Sequence, residues 1–366
     1  MGLLSGRNPV WVVRFAIQSV HPVNRAQPAF ILSMISTPAI LRHAHEASER
    51  LRRCMNPIAP IIRTDCNPVG RGALPKAWLL AAVASVICLA SAPPVRAQAR
   101  DVPVGKDGGV DMAVMGQKAE ALKERGVLLN QATAETQLQR TNCVLPLNSK
   151  PGKKPLAGKQ VWRKSRASFV RIGWYFLCPN CDRRHINFGG GFYVTKDGVV
   201  ATAHHVVAIQ KGMRDGYLVA ATEDGELTPV EEILAGNEAD DVALVRIKPL
   251  GKVQTLAINP DVSPGDEAWC YSNPLERSGY FSGGFVTRFT DLNAGKGGSP
   301  MVRMGVSTDW APGSSGAAVL DGCGNAIGLV SAIEVLMAPG GNKEQYMAIH
   351  HAACAANVLK LITPAK

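Results

Sequence analysis

No stretch of this 366-residue chain offers the run of about 20 apolar residues that a membrane-crossing helix needs. The apolar segment in "KAWLLAAVASVICLASAPPVRAQA", residues 76–99, is sixteen uncharged residues long and stops at two prolines. Internal repeats and low-complexity blocks are also missing, which excludes a solenoid or an array. A basic face is missing too, despite a formal charge of +11. Residues 1–99 hold 11 Lys and Arg against 3 Asp and Glu, a net of +8; the remainder holds 29 against 26, a net of +3. The excess lies in the front quarter, so no nucleic-acid footprint is expected on the folded part.

What the chain does have begins with that apolar segment. Lys76, the run after it, the proline break and Ala97-Gln98-Ala99 have the n-region, h-region and A-x-A cleavage site of a secretory signal. Such a signal stands near the start of translation, yet 75 residues precede this one. They carry scattered Arg and Pro with no steady period, so residues 1–75 read as an over-predicted or disordered leader, with Met55 a candidate initiator. A single-span anchor with a cytoplasmic basic tail is the other reading. The signal reading makes the product periplasmic or secreted, with no membrane span in the mature chain. A cut after Ala99 reduces nine cysteines to six: Cys143, Cys178, Cys181, Cys270, Cys323 and Cys354. An even count in an exported protein predicts disulfide pairing, with a connectivity that the sequence does not give.

Residues 100–164 read as a helical or irregular extension. "MAVMGQKAEALKERGVLLNQATAETQLQ" is its helix candidate and "NSKPGKKPLAGK" a flexible basic linker. It carries no chemistry, and either a pro-segment or a clamp on the domain surface fits it. From residue 165 the texture changes to short runs of β-branched and aromatic residues bounded by Gly, Asp and Pro, such as "SFVRIGWYFL", "DDVALVRI" and "EAWCYSN". Many short strands spaced by turn signals predict an all-β sandwich or barrel. An amphipathic stretch over His351–Ile362 predicts a C-terminal helix.

Three segments carry chemistry together: "GGGFYVTKDGVVATAHHVV", "NEADDVALVRI" and "DWAPGSSGAAVLDGCGNAIGLVS". Serine is a weak nucleophile near neutral pH and needs a base, which in turn needs an orienting group. In Gly313-Ser314-Ser315-Gly316 the small neighbours let Ser315 sit on a tight turn. The N–H groups of Gly313 and Ser315 can then converge on one oxyanion. Ser314 is expected as an exposed turn residue. Asp241 stands directly before "VALVRI", where a buried carboxylate must find donors, and an imidazole N–H is a fitting one. Asp240 falls on the other side of the pleat, facing solvent or forming the turn.

These segments resemble the chymotrypsin-fold, trypsin-like serine peptidases, and most nearly the bacterial HtrA/Deg branch. "GGGFYVTKDGVVATAHHVV" is similar to that branch's histidine segment, Asp241 to Leu244 to its acid segment, and Pro312 to Val319 to its nucleophile segment. The order His, Asp, Ser is also that of chymotrypsin. Ala317 and Ala318 replace residues usual after the nucleophile, both small. The resemblance covers residues 165–362 and the protease domain alone, with no PDZ module expected. It implies two six-stranded antiparallel β-barrels in a domain over 165–366. It assigns His205 as general base, Asp241 as its orienting acid and Ser315 as nucleophile, with His204 in a variable slot.

The resemblance further suggests Asp309, six residues before the nucleophile, at the base of the primary pocket, and Gly328, Leu329, Val330 and Ser331 as the strand that pairs with substrate. It places Cys270 and Cys323 at positions similar to a disulfide of the second barrel. Cys178 and Cys181, in "CPNCDRRH", read as a local disulfide or, with His185, as half of a zinc site without an evident fourth ligand. Export favours the disulfide. Cys143 with Cys354 is then the pair left over. The expectation is an exported serine endopeptidase acting on proteins or peptides without metal or cofactor. The alternative is a catalytically silent trypsin-fold binding or scaffold protein of the cell envelope.

Overall fold

The structure, a computed structural model, describes residues 12–13, 107, 112–147, 150–295, 297, 299–338 and 344–364. The signal-like segment 76–99, and the leader apart from Val12–Val13, lie outside the described residues. A two-residue strand, β1 (Val12–Val13), comes first. Next come α1 (Met112–Glu124), β2 (Leu129–Asn130), α2 (Gln131–Gln137), β3 (Cys143–Leu145) and α3 (Gly158–Ser168).

The first barrel is built from β4 (Phe169–Leu177), β5 (Arg184–Tyr193), β6 (Val199–Thr202), β7 (Arg214–Ala221), β8 (Leu227–Asn237) and β9 (Val242–Ile247). Its spatial order is β7-β4-β5-β6-β9-β8, closed by the pairing of β7 with β8. A single helical turn, α4 (His204–Val207), follows β6. The second barrel uses β10 (Glu267–Ser272), β11 (Tyr280–Asp291), β12 (Val302–Val306), β13 (Ala318–Leu320), β14 (Ala326–Met337) and β15 (Gln345–Cys354). Its order is β14-β13-β10-β11-β12-β15, closed by β14 with β15. Each ring is antiparallel and six-stranded, and closure leaves a ring without an unpaired edge along most of its length. The chain ends with α5 (Ala355–Lys360) and β16 (Ile362–Pro364).

The run "FVRIGWYFL" of β4 is apolar at nearly every position because both of its faces are covered. Ile172 and Trp174 fill the barrel, while Tyr175 packs outward with Ala119 of α1 and Val219. Met115 and Ala119 of α1 are fully buried, and Glu120 accepts the Tyr175 hydroxyl at 2.5 Å and pairs with Arg184 at 3.3 Å. The extension is thus a clamp along the barrel surface. Its basic linker is pinned at two points: Gly152 and Asn325 exchange two hydrogen bonds of 2.8 and 2.9 Å, and the Leu156 N–H reaches the Gly322 carbonyl at 2.8 Å.

Two sequence expectations need correction here. The helix expected over 351–362 begins only at Ala355, because His351–Cys354 remain in β15, paired with β12 on one side and β14 on the other. All six cysteines from Cys143 onward are free thiols in this structure, where the sequence led us to expect pairs. Cys270 is sealed in the second-barrel core, where burial pushes its thiol up to about 12, whereas Cys323 sits in the turn held by Asp321. Cys143 packs against the first core and Cys354 within the second. The tie expected from that last pair is made by backbone instead: β3 pairs in parallel with β16, and the Cys143 N–H donates to the Leu361 carbonyl at 2.8 Å.

Candidate active site

The antiparallel pairing of β6 with β9 sets the first half of the site. Thr202 is opposite Ala243, so the end of β6 and the start of β9 lie side by side. His205 comes three residues after that end and Asp241 one residue before that start, which brings them together. Asp241 is in the left-handed region at φ 56, a conformation that turns the chain into β9 while leaving the carboxylate inside.

That carboxylate is well supplied with donors. One oxygen lies 2.9 Å from the His205 Nδ1 and accepts the His205 backbone N–H at 3.1 Å; the other lies 3.0 Å from the same Nδ1 and accepts the Ser331 hydroxyl. Burial raises the carboxyl pKa, but the His205 charge and these hydrogen bonds outweigh it and hold Asp241 below its ordinary value. With Nδ1 donating to the carboxylate, the imidazole Nε2 is left as an acceptor. Nε2 is buried and has no hydrogen-bond partner among the described residues. A buried polar atom left without a partner costs about 1–3 kcal/mol, which marks a place where something else is meant to bind. His204 is directed elsewhere: a Cβ on Gly236 of β8 would lie 3.1 Å from its ring.

The second half of the site is a turn of the second barrel. Gly313 and Gly316 have φ of 95° and 84°, and a Cβ on Gly316 would lie 2.3 Å from the Gly190 carbonyl oxygen, so only glycine fits there. The Ser315 carbonyl accepts the Gly190 N–H at 2.6 Å, and the Gly190 carbonyl accepts the Thr202 hydroxyl at 2.7 Å. Gly190 therefore links the Ser315 turn to the strand that leads into His205. From the other side the Gly316 N–H reaches the Val330 carbonyl at 2.8 Å, and the Leu275 N–H reaches Pro312 at 2.7 Å. The N–H groups of Gly313 and Ser315 donate to no acceptor among the described residues.

Several expected site residues behave differently. Ser314 is fully buried rather than exposed, with an unpartnered hydroxyl, because the turn packs inward at that point. Gly328, Leu329 and Val330 are bonded on one side to residues 317–319 and on the other to β15, so they have no edge to offer a substrate. Beyond Val330, β13 leaves β14, which from Ala332 onward pairs among the described residues with β15 and, at Ile333 and Glu334, with β1. Ser331 stands at that transition and serves Asp241. Asp309 is exposed rather than at a pocket floor, its carboxylate open to water, while its neighbour Trp310 is buried, bonds the Ala332 carbonyl at 3.3 Å and meets the His350 ring edge-on.

Gly190 and Thr202 are contributors that the sequence reading passed over. The signal was present in the triple glycine 189–191, since consecutive glycines in a strand mark close backbone approach.

Comparison with known proteins agrees with this geometry. Residues 189–329 match the family described as Trypsin-like peptidase domain. The protein named "Putative serine protease HhoA" from Synechocystis sp. is 30% identical over 172 residues, 44% of this chain and 41% of its own length. "Putative serine protease HhoB" of the same organism is 28% identical over 162 residues, 42% of this chain and 36% of its own. "Uncharacterized protein y4bJ" from Sinorhizobium fredii is 28% identical over 146 residues, 39% and 21%. The chain thus spans less than half the length of these relatives. The two six-stranded rings have the chymotrypsin-like fold, and residues 189–329 within them are similar in sequence to trypsin-like peptidase domains.

Proposed function

We propose that this domain is a serine endopeptidase in which His205, Asp241 and Ser315 form the catalytic triad. The His205 Nε2 takes the proton from the Ser315 hydroxyl as its oxygen attacks the peptide carbonyl, and Asp241 stabilises the imidazolium that results. The N–H groups of Gly313 and Ser315 receive the charge that develops on the carbonyl oxygen. His205 then gives its proton to the leaving amine, forming an acyl-enzyme, and water repeats the sequence in reverse to free the acid. The observation that carries this reading is the buried, unpartnered Nε2, held in its acceptor tautomer by Asp241.

We place the substrate along the side of β14 that β13 leaves, where it would displace β1 from Ile333 and Glu334. An extended peptide can add there as an antiparallel strand, as β1 does at Ile333 and Glu334. The signal-like segment at 76–99 supports export to the periplasm or beyond. The test is peptide cleavage by the wild type and by Ser315→Ala with matched folding. Loss of cleavage in the variant is expected, and full activity would remove the assignment. A folded wild type that cleaves nothing would instead be a silent binding protein.

A further inference from the structure

The hairpin joining β4 to β5 gathers a second cluster, at the opposite end of β5 from Gly190. Cys178 follows β4 directly, Cys181 lies in the turn, and His185 is the second residue of β5. The ligand atoms of these three side chains lie within 4.8 Å of one another, with the Cys181 sulfur 2.9 Å from the His185 Nε2. Tetrahedral zinc, with bonds of about 2.3 Å to sulfur and about 2.0 Å to nitrogen, needs donor separations of about 3.5–3.8 Å, so a small rotation of the side chains suffices.

The turn is built to hold this arrangement. The Cys178 N–H donates to the Arg183 carbonyl at 2.9 Å, the Asp182 N–H returns to the Cys178 carbonyl at 3.2 Å, and Asp182 adopts φ 51. Arg214 braces it from β7, donating to the Cys178 carbonyl at 3.0 Å and to the Asp182 carboxylate. Asp182 is thereby turned toward Arg214 and away from a ligand's role. Phe176, opposite His185 in the ladder, packs against the imidazole at 6.2 Å. Two soft thiolates and an imidazole select zinc over calcium or magnesium.

From this geometry we infer that Cys178, Cys181 and His185 bind one zinc ion, with water in the fourth position. Cys178 is buried, whereas Cys181 and His185 are partly exposed, so the open position faces solvent. As the two sulfur–zinc bonds form, two thiol protons pass to solvent, and no electron is transferred. The ion locks the tip of a hairpin whose other end, about 17 Å along β5, holds the Ser315 turn. This departs from the expectation of a metal-free chain with a local disulfide, in which His185 would not be a ligand.

The test uses the full chain, purified under reducing conditions from cells supplied with zinc. About one equivalent of zinc per chain is expected. Replacement by cobalt should give a thiolate-to-cobalt charge-transfer band. Cys181→Ser and His185→Ala should each weaken zinc binding by more than about tenfold, while Cys323→Ser should leave it unchanged. The cobalt band is read on the wild type, so the result does not depend on the folding of any variant. The inference is overturned by a reduced wild type that gives no cobalt band. It is equally overturned by a Cys178→Ser/Cys181→Ser chain that binds zinc as tightly as wild type, or by a Cys178–Cys181 disulfide as the form isolated.

Discussion

The two barrels contribute to the site in different ways. The first places His205 and Asp241 just beyond the paired ends of adjacent strands, so strand register alone brings base and acid together. The second presents Ser315 on a turn with two left-handed glycines, Gly313 and Gly316. It borrows hydrogen bonds from Gly190 in the first barrel, from Val330 in its own and from Leu275 in the neighbouring loop. The proposed base and acid are therefore as rigid as the sheet, whereas the proposed nucleophile is as rigid as its supports. Disturbing each half should show this difference.

The largest loss should come from Ser315→Ala, about 10⁶-fold in kcat with little change in stability, measured by peptide hydrolysis. Asp241→Asn should follow, at about 10⁴-fold, because the amide can hold the imidazole in the wrong tautomer. The same variant carries a pH signature. Asp241 titrates below its ordinary value in the folded protein, so its stabilisation is present above that value and is lost as pH falls through the depressed one. Wild type should thus lose its advantage over Asp241→Asn in acid melts below about pH 4, and an advantage independent of pH would contradict the ionised carboxylate.

Gly316→Ala tests the turn's supports. Its Cβ would strike the Gly190 carbonyl, and a cost of more than about 2 kcal/mol in denaturant unfolding is expected, together with loss of activity. Ser331→Ala removes one of the donors to Asp241, and a loss of about tenfold in kcat with unchanged KM should result. Smallest of all is His204→Ala, which should leave kcat/KM within about threefold, since that ring packs at Gly236 and not on Asp241.

The motif residues were legible in the sequence because each answers a local demand. Gly313 and Gly316 flank a tight turn, Asp241 starts a buried strand, and His205 follows an apolar one. The barrels were legible from the spacing of short β-branched runs. What was not legible depends on pairing across the fold. The proposed substrate edge begins only where β13 leaves β14, a pairing no local pattern encodes, whereas Gly328 to Val330 are bonded on both sides. The thiols misled because an even cysteine count says nothing of which core each residue enters. The clamp role of α1 depends on polar contacts of Glu120 with Tyr175 and Arg184 that its sequence alone does not announce.

The most direct measurement is reaction of the folded wild-type chain with a fluorophosphonate, with the adduct mapped by peptide mass spectrometry. One modified residue per chain, Ser315, is expected, with labelling abolished by His205→Ala. Absence of labelling, or an adduct on the neighbouring Ser314, would contradict Ser315 as the nucleophile that His205 activates.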